Sequence, residues 1–447
     1  MSKPTFASLA RDLAGGRTTS EALTESCLDA ALDGSGEGAR AFTLVDAESA
    51  RAQARAMDGL RAAGAPLSPF AGIPISVKDL FDIAGQVTRA GSVVLSEAPP
   101  ASRDAAIVAR LRQAGLVIVG RTNMSEFAFS GVGINPHYGT PAAAWDRASR
   151  RIPGGSSSGA AVSVADGMAH GAIGTDTGGS CRIPAAFAGL VGYKPTARMV
   201  PLDGTVPLSP SLDSIGPIAR TVDCCAALTA ILAGMPLGGA AADLRGKRLA
   251  VPTNFVMDGM DDTVSIAFDT ALDALSRAGA VVERRALPAL DRIPSINALG
   301  GFPAAESYFW HRELLARDAA RYDQRVRTRI ERGKGQSAAD YIALLQARAA
   351  LIDEVAHELA DFDAVAMPTV PVIPPRIAAL DDDQEFTRVN LLLLRNPTVV
   401  NLLDGCAISL PIHAAGDAPV GLMLAMSRGR DAELFRLSRA VETLLAR

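Results

Sequence analysis

The sequence predicts an α/β fold: a central mixed β-sheet covered by helices on both faces. Three observations point there. Short apolar runs alternate with segments of helical spacing along most of the chain, the pattern of strands and helices packed in layers. Several of these runs are apolar throughout, as expected of strands buried on both faces. Finally, 48% of the 447 residues are hydrophobic and 21% charged, which suits a large packed core and excludes a disordered chain.

The elements follow in order. Residues 1–65 read as an N-terminal helical segment. Thr18-x-x-Glu21 suits a capping box before Leu23, Cys27 and Leu28, and residues 46–62 form a second, Ala- and Arg-rich helix. Residues 71–78 read as a short buried strand. Residues 104–114 have helical spacing at Ile107, Val108 and Leu111, end at Gly115, and lead into an apolar strand at 116–119. Residues 135–216 are dense in Gly, Pro and Ser. So long a stretch in a compact domain is a linker or a functional loop system. The apolar pieces running through it, at 160–168, 172–175 and 190–193, make it the heart of the domain. Residues 224–242 are uncharged, but Met235-Pro236-Leu237-Gly238-Gly239 interrupts them. A buried helix ending near Gly234 is therefore expected rather than a membrane span. Strands at 246–251, 280–285 and 363–367 and a helix at 264–278 continue the alternation. Residues 297–395 are more helical and more charged, and read as an inserted region that shapes a substrate pocket. No period of 20–50 residues repeats, and residues 1–447 read as a single domain.

Composition narrows the class of function. A net charge of −4 provides no electrostatic footprint for nucleic acid. The cysteines are odd in number, sparse and without a C-x-x-C pair, which predicts reduced thiols in a cytoplasmic protein. Residues 1–17 carry no apolar run of the kind a secretory signal needs. The five histidines show no H-E-x-x-H and no paired spacing, so neither a metal nor another cofactor is expected. Of 44 basic residues only five are lysines, Lys3, Lys78, Lys194, Lys247 and Lys334. A lysine inside an apolar segment of this chain is therefore informative.

Three segments could carry chemistry. Gly154-Gly155-Ser156-Ser157-Ser158-Gly159 lacks the Gly-Lys-Ser/Thr ending of a phosphate loop. It is either a glycine–serine linker or a loop feeding the helix that starts at Ala160. Gly174-Thr175-Asp176-Thr177-Gly178-Gly179-Ser180 is a tight turn that can present a hydroxyl and leave backbone N–H groups bare, as an oxyanion hole requires. Lys78 ends the apolar run Ile75-Ser76-Val77. Either it is exposed at the strand end or it sits in a dry site, where burial would lower its pKa from about 10.4 and make it a base at neutral pH.

Together these segments resemble the amidase signature family of serine hydrolases. The matching text is Gly72-Ile73-Pro74-Ile75-Ser76-Val77-Lys78-Asp79, Gly120-Arg121-Thr122-Asn123-Met124-Ser125-Glu126-Phe127, Pro153 to Ala161, Gly174 to Arg182, Gly192-Tyr193-Lys194-Pro195-Thr196 and Ser211-Leu212-Asp213-Ser214-Ile215-Gly216-Pro217. Ser156 and Ser180 keep the family's spacing of 24 residues. The resemblance is specific over residues 71–223 and continues more loosely through Asn401 to Ala407 and Gly421 to Met423.

The resemblance implies a Ser-Ser-Lys triad: Ser180 as nucleophile, Ser156 as a bridging serine after a cis peptide bond, and Lys78 as the base. It implies an oxyanion hole from the backbone amides of Thr177, Gly178, Gly179 and Ser180, with Asp176 and Arg182 as supports of that loop. Met124, Phe127 and His137 are candidates for the substrate pocket. Ser158 departs from a common glycine, and Cys181 from a common aliphatic residue after the nucleophile. The expected substrate is a small amide, with no nucleic-acid or membrane partner, and the resemblance makes a homodimer reasonable. Pocket walls are expected from residues 130–145, 293–325 and 368–396. The scarcity of charge in 368–380 hints at an apolar or aromatic substrate rather than a dicarboxylate.

Other readings remain open. One is the glutamine-hydrolysing A subunit of an aminoacyl-tRNA amidotransferase. That protein usually has glutamine where this chain has Ile183, and a different stretch from Val206-Pro207-Leu208-Ser209-Pro210. Another is a carbamate, urea-derivative or aryl-amide hydrolase. A third is a catalytically inactive binding protein on the same scaffold, which the intact Lys78, Ser156 and Ser180 oppose.

Overall fold

The computed structural model describes residues 4–445, so Lys3 lies outside them. Eleven strands form one mixed sheet: β1 (Phe42–Val45), β2 (Pro74–Lys78), β3 (Val117–Thr122), β4 (Gly171–Thr175), β5 (Val191–Lys194), β6 (Ile215–Ala219), β7 (Arg248–Pro252), β8 (Val281–Arg285), β9 (Ala364–Pro368), β10 (Cys406–Pro411) and β11 (Gly421–Met426). Their spatial order is β1-β3-β2-β4-β6-β5-β10-β11-β9-β7-β8. β2 runs parallel to both β3 and β4, and β7 to both β8 and β9. The remaining neighbours are antiparallel.

The sheet divides two apolar cores, and successive side chains show it. Leu249 and Val251 join one core while Ala250 joins the other; Ala364 and Ala366 oppose Val365 and Met367; Leu422 and Leu424 oppose Met423. This is the period-two alternation of a strand buried on both faces. It explains why the runs read as continuously apolar. The edge strand β8 is different: Glu283, Arg284 and Arg285 place charge on it, which discourages pairing with another chain.

Two local expectations are corrected. The N-terminal segment is not wholly helical, since Phe42–Val45 forms the edge strand β1 antiparallel to β3. A four-residue strand between two helices is too short to show a period. The helix Ser20–Leu32 is capped by Thr19 rather than Thr18: Thr19 Oγ1 accepts from the Ala22 N–H at 3.0 Å. The expected Thr18–Glu21 box does not close, because the Glu21 N–H donates to Asp58 and the residue three beyond the cap is Ala22, which has no side-chain acceptor. The uncharged stretch forms the helix Val222–Ala233, which Gly234 ends in the left-handed region at φ 69°. Among the described residues no helix is long and apolar enough to cross a membrane. Residues 297–395 hold the helices Gly301–Asp318, Gln324–Glu331 and Ala338–Glu358, most of Asp383–Leu402, and strand β9, which sits inside the main sheet.

Candidate active site

Parallel pairing of β2 with β4 sets the site. Val77 lies opposite Ile173, so the strands end side by side and bring Lys78 next to Thr175. Lys78 is completely buried. Its Nζ donates to Ser156 Oγ at 2.7 Å and to Thr175 Oγ1 at 2.8 Å. Burial pulls its pKa from 10.5 down to about 7, against the opposing pull of Cys181, Asp213 and Asp176. Asp79, the next residue, does not neutralise it, because Arg121 Nε holds that carboxylate at 2.6 Å. A lysine so placed gives up its proton far more readily than an exposed one, which is what a base near neutral pH requires.

Ser156 follows a cis peptide bond, Gly155–Ser156, as the resemblance implied. Its loop opens the helix Ser158–Ala165, which is buried along its whole length. Gly159 allows the close packing: a Cβ there would lie 2.1 Å from the Ala41 carbonyl oxygen. The Ser157 N–H donates to the Ser180 carbonyl at 3.3 Å, tying the two serine loops together. Ser180 is 3% exposed and reaches the wall of a cavity of about 950 Å³. Among the described residues no hydrogen bond joins Ser180 Oγ to Ser156 Oγ. In enzymes without substrate such contacts are often long and tighten on binding.

Asp176 and Arg182 build the loop that carries Ser180. Arg182 Nε and Nη2 clamp the Asp176 carboxylate at 3.0 and 2.8 Å, both side chains fully buried. The same carboxylate accepts the N–H groups of Gly179 and Cys181, and Asn401 Nδ2 donates to it and to the Asp176 carbonyl. Burial pushes the Asp176 carboxyl up, but Arg182, Lys194 and Asn401 outweigh it and hold the group well below the usual carboxylate range.

This network corrects the predicted oxyanion hole at one position. The Gly179 N–H is committed to Asp176 Oδ1 at 2.9 Å and Gly179 does not line the cavity. Thr177, Gly178 and Ser180 do line it, and their N–H groups have no protein acceptor among the described residues. Gly179 has a different task. It turns the chain at φ 121°, and a Cβ on it would lie 2.5 Å from Pro397 Cβ. Gly179→Ala is therefore expected to displace Ser180 and slow its labelling by a fluorophosphonate probe roughly 100-fold. Labelling at half the parent rate or better would show that the loop absorbs the methyl group.

The three predicted pocket residues do not reach the cavity. Met124 and Phe127 are buried. Phe127 packs on Trp310, His311 and Tyr322 with ring centroids 4.3 to 6.1 Å apart. His137 hydrogen-bonds Glu126 at 2.9 Å, and that bond raises its pKa. The cavity is walled instead by the next residues of the same segment, Ala128, Phe129 and Ser130. Residues 368–380 also stay out of it, so the scarcity of charge there carries no information about the substrate. Arginines of the helices Gln324–Glu331 and Asp383–Leu402 line it instead. Sequence reading also missed Thr175, the second partner of Lys78. Its place in the Gly174-Thr175-Asp176 run, directly before the loop, was the available signal.

Comparison with known proteins places the chain in a family. The family model described as Amidase matches residues 22–435. A 2-amino-5-chloromuconic acid deaminase of Comamonas testosteroni is 37% identical over 91% of this chain and 88% of its own length. The A subunit of a glutamyl-tRNA(Gln) amidotransferase from Acidothermus cellulolyticus is 35% identical over 98% of this chain and 94% of its own. A crystal structure of an amidase superposes with a TM-score of 0.90 at 32% identity, covering 99% of this chain and 100% of the other. A match that spans nearly the whole chain in both sequence and fold is decisive: the chain belongs to the amidase family.

Proposed function

We propose that the protein is an amidase that hydrolyses the C–N bond of a small carboxylic amide, through an acyl-enzyme on Ser180, to an acid and ammonia or an amine. One observation carries this reading above all: Lys78 donates to Ser156 at 2.7 Å from a site dry enough to hold the amine near neutrality. Neutral Lys78 accepts the Ser156 proton while Ser156 accepts that of Ser180, whose Oγ attacks the amide carbonyl. The N–H groups of Thr177, Gly178 and Ser180 receive the oxyanion. Collapse of the tetrahedral intermediate breaks the C–N bond, and Ser156 returns a proton to the leaving nitrogen. Water then attacks the acyl ester, gives its proton to the relay and releases the acid. The arrangement meets the same need as Ser-His-Asp with a different proton carrier.

A second reading, the glutamine-hydrolysing role within an amidotransferase, is favoured by the relatives of that name at 33 to 36% identity. Against it stand Ile183 and the stretch from Val206 to Pro210. Hydrolysis of a panel of aliphatic, aryl, amino-acid and carbamate substrates, compared by kcat/KM, tests the proposal. Turnover of amides by the isolated chain, lost in Ser180→Ala, is the expected result. Glutaminase activity that appears only with co-expressed partner subunits would move the assignment to the second reading.

A further inference from the structure

The cavity beside Ser180 is strongly cationic, although the chain as a whole carries a net charge of −4. Five arginines line it, Arg325, Arg329, Arg332, Arg388 and Arg395, against one carboxylate, Asp383. They are not equivalent. Arg325 is paired with Asp383 at 2.6 Å and Arg388 with Glu385 at 2.7 Å. Arg395 is anchored by Asn396 and by the carbonyls of Val256 and Asp258. Arg332 lies exposed and donates to the Ala298 carbonyl.

Arg329 differs from all of these. It is partly buried and stands within hydrogen-bond reach of one protein acceptor, the Phe129 carbonyl at 3.1 Å. No carboxylate lies within ion-pair distance of it among the described residues. Asp323, one turn and a half earlier, is used to cap the helix through the Arg325 N–H. The Arg329 guanidinium and that of Arg325 sit over the ring of Phe386 at 5.0 and 4.3 Å, so packing fixes their planes. Burial pulls the Arg329 pKa down to about 10, which leaves it charged at neutral pH. A guanidinium has five N–H donors and no acceptor, so most of its donors are unused here. Burying a charge without an ionic partner is unfavourable. The residue it contacts, Phe129, also lines the cavity.

We propose that Arg329 is a specificity-determining residue that binds a carboxylate of the substrate remote from the scissile C–N bond, so that the substrate class is an amide of an acid carrying a second, anionic group. This rests on the amidase reading of the same cavity. A carboxylate matches the planar fork of a guanidinium with two parallel hydrogen bonds. Arg332 at the rim adds long-range attraction that salt would screen. The apolar stretch between the two ends of the substrate would lie along residues such as Leu208, Leu212 and Leu394.

The experiment compares matched amides, the monoamide of a linear dicarboxylic acid and the uncharged amide of the same length, in the wild type and in Arg329→Gln. The wild type is expected to prefer the carboxylated amide in kcat/KM. Arg329→Gln should erase roughly 10- to 100-fold of that preference, chiefly through KM, as loss of a charge-assisted hydrogen bond does. Arg329→Lys, which keeps the charge but not the fork, should recover only part of it. A preference for the uncharged amide, or a preference unchanged in Arg329→Gln, would overturn the proposal. Calorimetry with the corresponding dicarboxylate supplies an independent arm. If no amide is hydrolysed but the dicarboxylate binds and Arg329→Gln weakens it, the amidase reading fails while the carboxylate site stands. If amides are turned over and the dicarboxylate does not bind, the carboxylate site fails alone. Thermal melts of both variants exclude misfolding as the cause of a lost preference.

Discussion

Lys78→Ala is expected to fold and to lose roughly 10²- to 10⁴-fold in kcat at neutral pH, the usual contribution of a positioned general base. The loss follows from geometry. Ser156 Oγ has Lys78 Nζ at 2.7 Å, and without it the serine pair has no group to which a proton can pass. Arginine cannot replace it, because guanidinium keeps its proton. In the parent, kcat/KM should rise with pH through about 7, since only the unprotonated amine accepts a proton and burial sets its pKa there. That acid limb should vanish in Lys78→Ala, and a variant that kept near-parent turnover would dismantle the triad. Stability carries the same signature with a definite sign. Between about 7 and 10.5 the unfolded chain holds a proton at this lysine that the folded chain does not. Lys78 therefore opposes folding fully below that window, and less and less as pH rises through it. In urea, the stability of the parent relative to Lys78→Met should accordingly improve from pH 7 toward pH 10.

Arg182→Met should cost about 3–5 kcal/mol of folding stability, the penalty for breaking a buried ion pair by removing one partner. Native stability is typically ~5–15 kcal/mol, so this is a large share. Arg182 is fully buried and donates to Asp176 and Asn401, with Met423 Sδ at its third nitrogen. Without it Asp176 is a buried carboxylate whose remaining donors are the loop amides and Asn401. Its pKa should rise toward the value burial favours, and the turn bearing Ser180 should lose its anchor. Urea unfolding at pH 7 measures the loss. A change below ~1 kcal/mol would mean that the pair contributes no more than a surface ion pair. Adding Asp176→Asn should restore part of the stability, because it removes the unpaired charge rather than the fold.

The legible part of the molecule was the part written in consecutive residues. Short apolar runs announced the strands, since burial on both faces leaves no polar alternation. Gly234 announced a helix end. The clusters around Lys78, Ser156 and Ser180 could be read because each residue's role depends on its immediate neighbours: an apolar strand, a glycine-rich turn, a loop entering a helix. The edge strand β1 was missed because four residues cannot display a period. Thr175 escaped because its role appears only when β4 is laid beside β2. Gly179 was misassigned because sequence locates an N–H group but does not say whether Asp176 will claim it.

The sequence by itself determined the proposed reaction centre, two hydroxyls and one amine, and the family to which the chain belongs. Local spacing sufficed, because these groups sit on short loops that the strands beside them hold in place. The tertiary structure alone decided the cavity. Its wall joins residues 128–130 to a helix near residue 329 and another near residue 388, almost two hundred residues and more along the chain. Charge that looked evenly scattered in the linear text is gathered there into five arginines, and the quiet stretch 368–380 lies elsewhere. A pocket is a meeting of distant segments, so its electrostatics depends on packing, and no window of consecutive residues contains it.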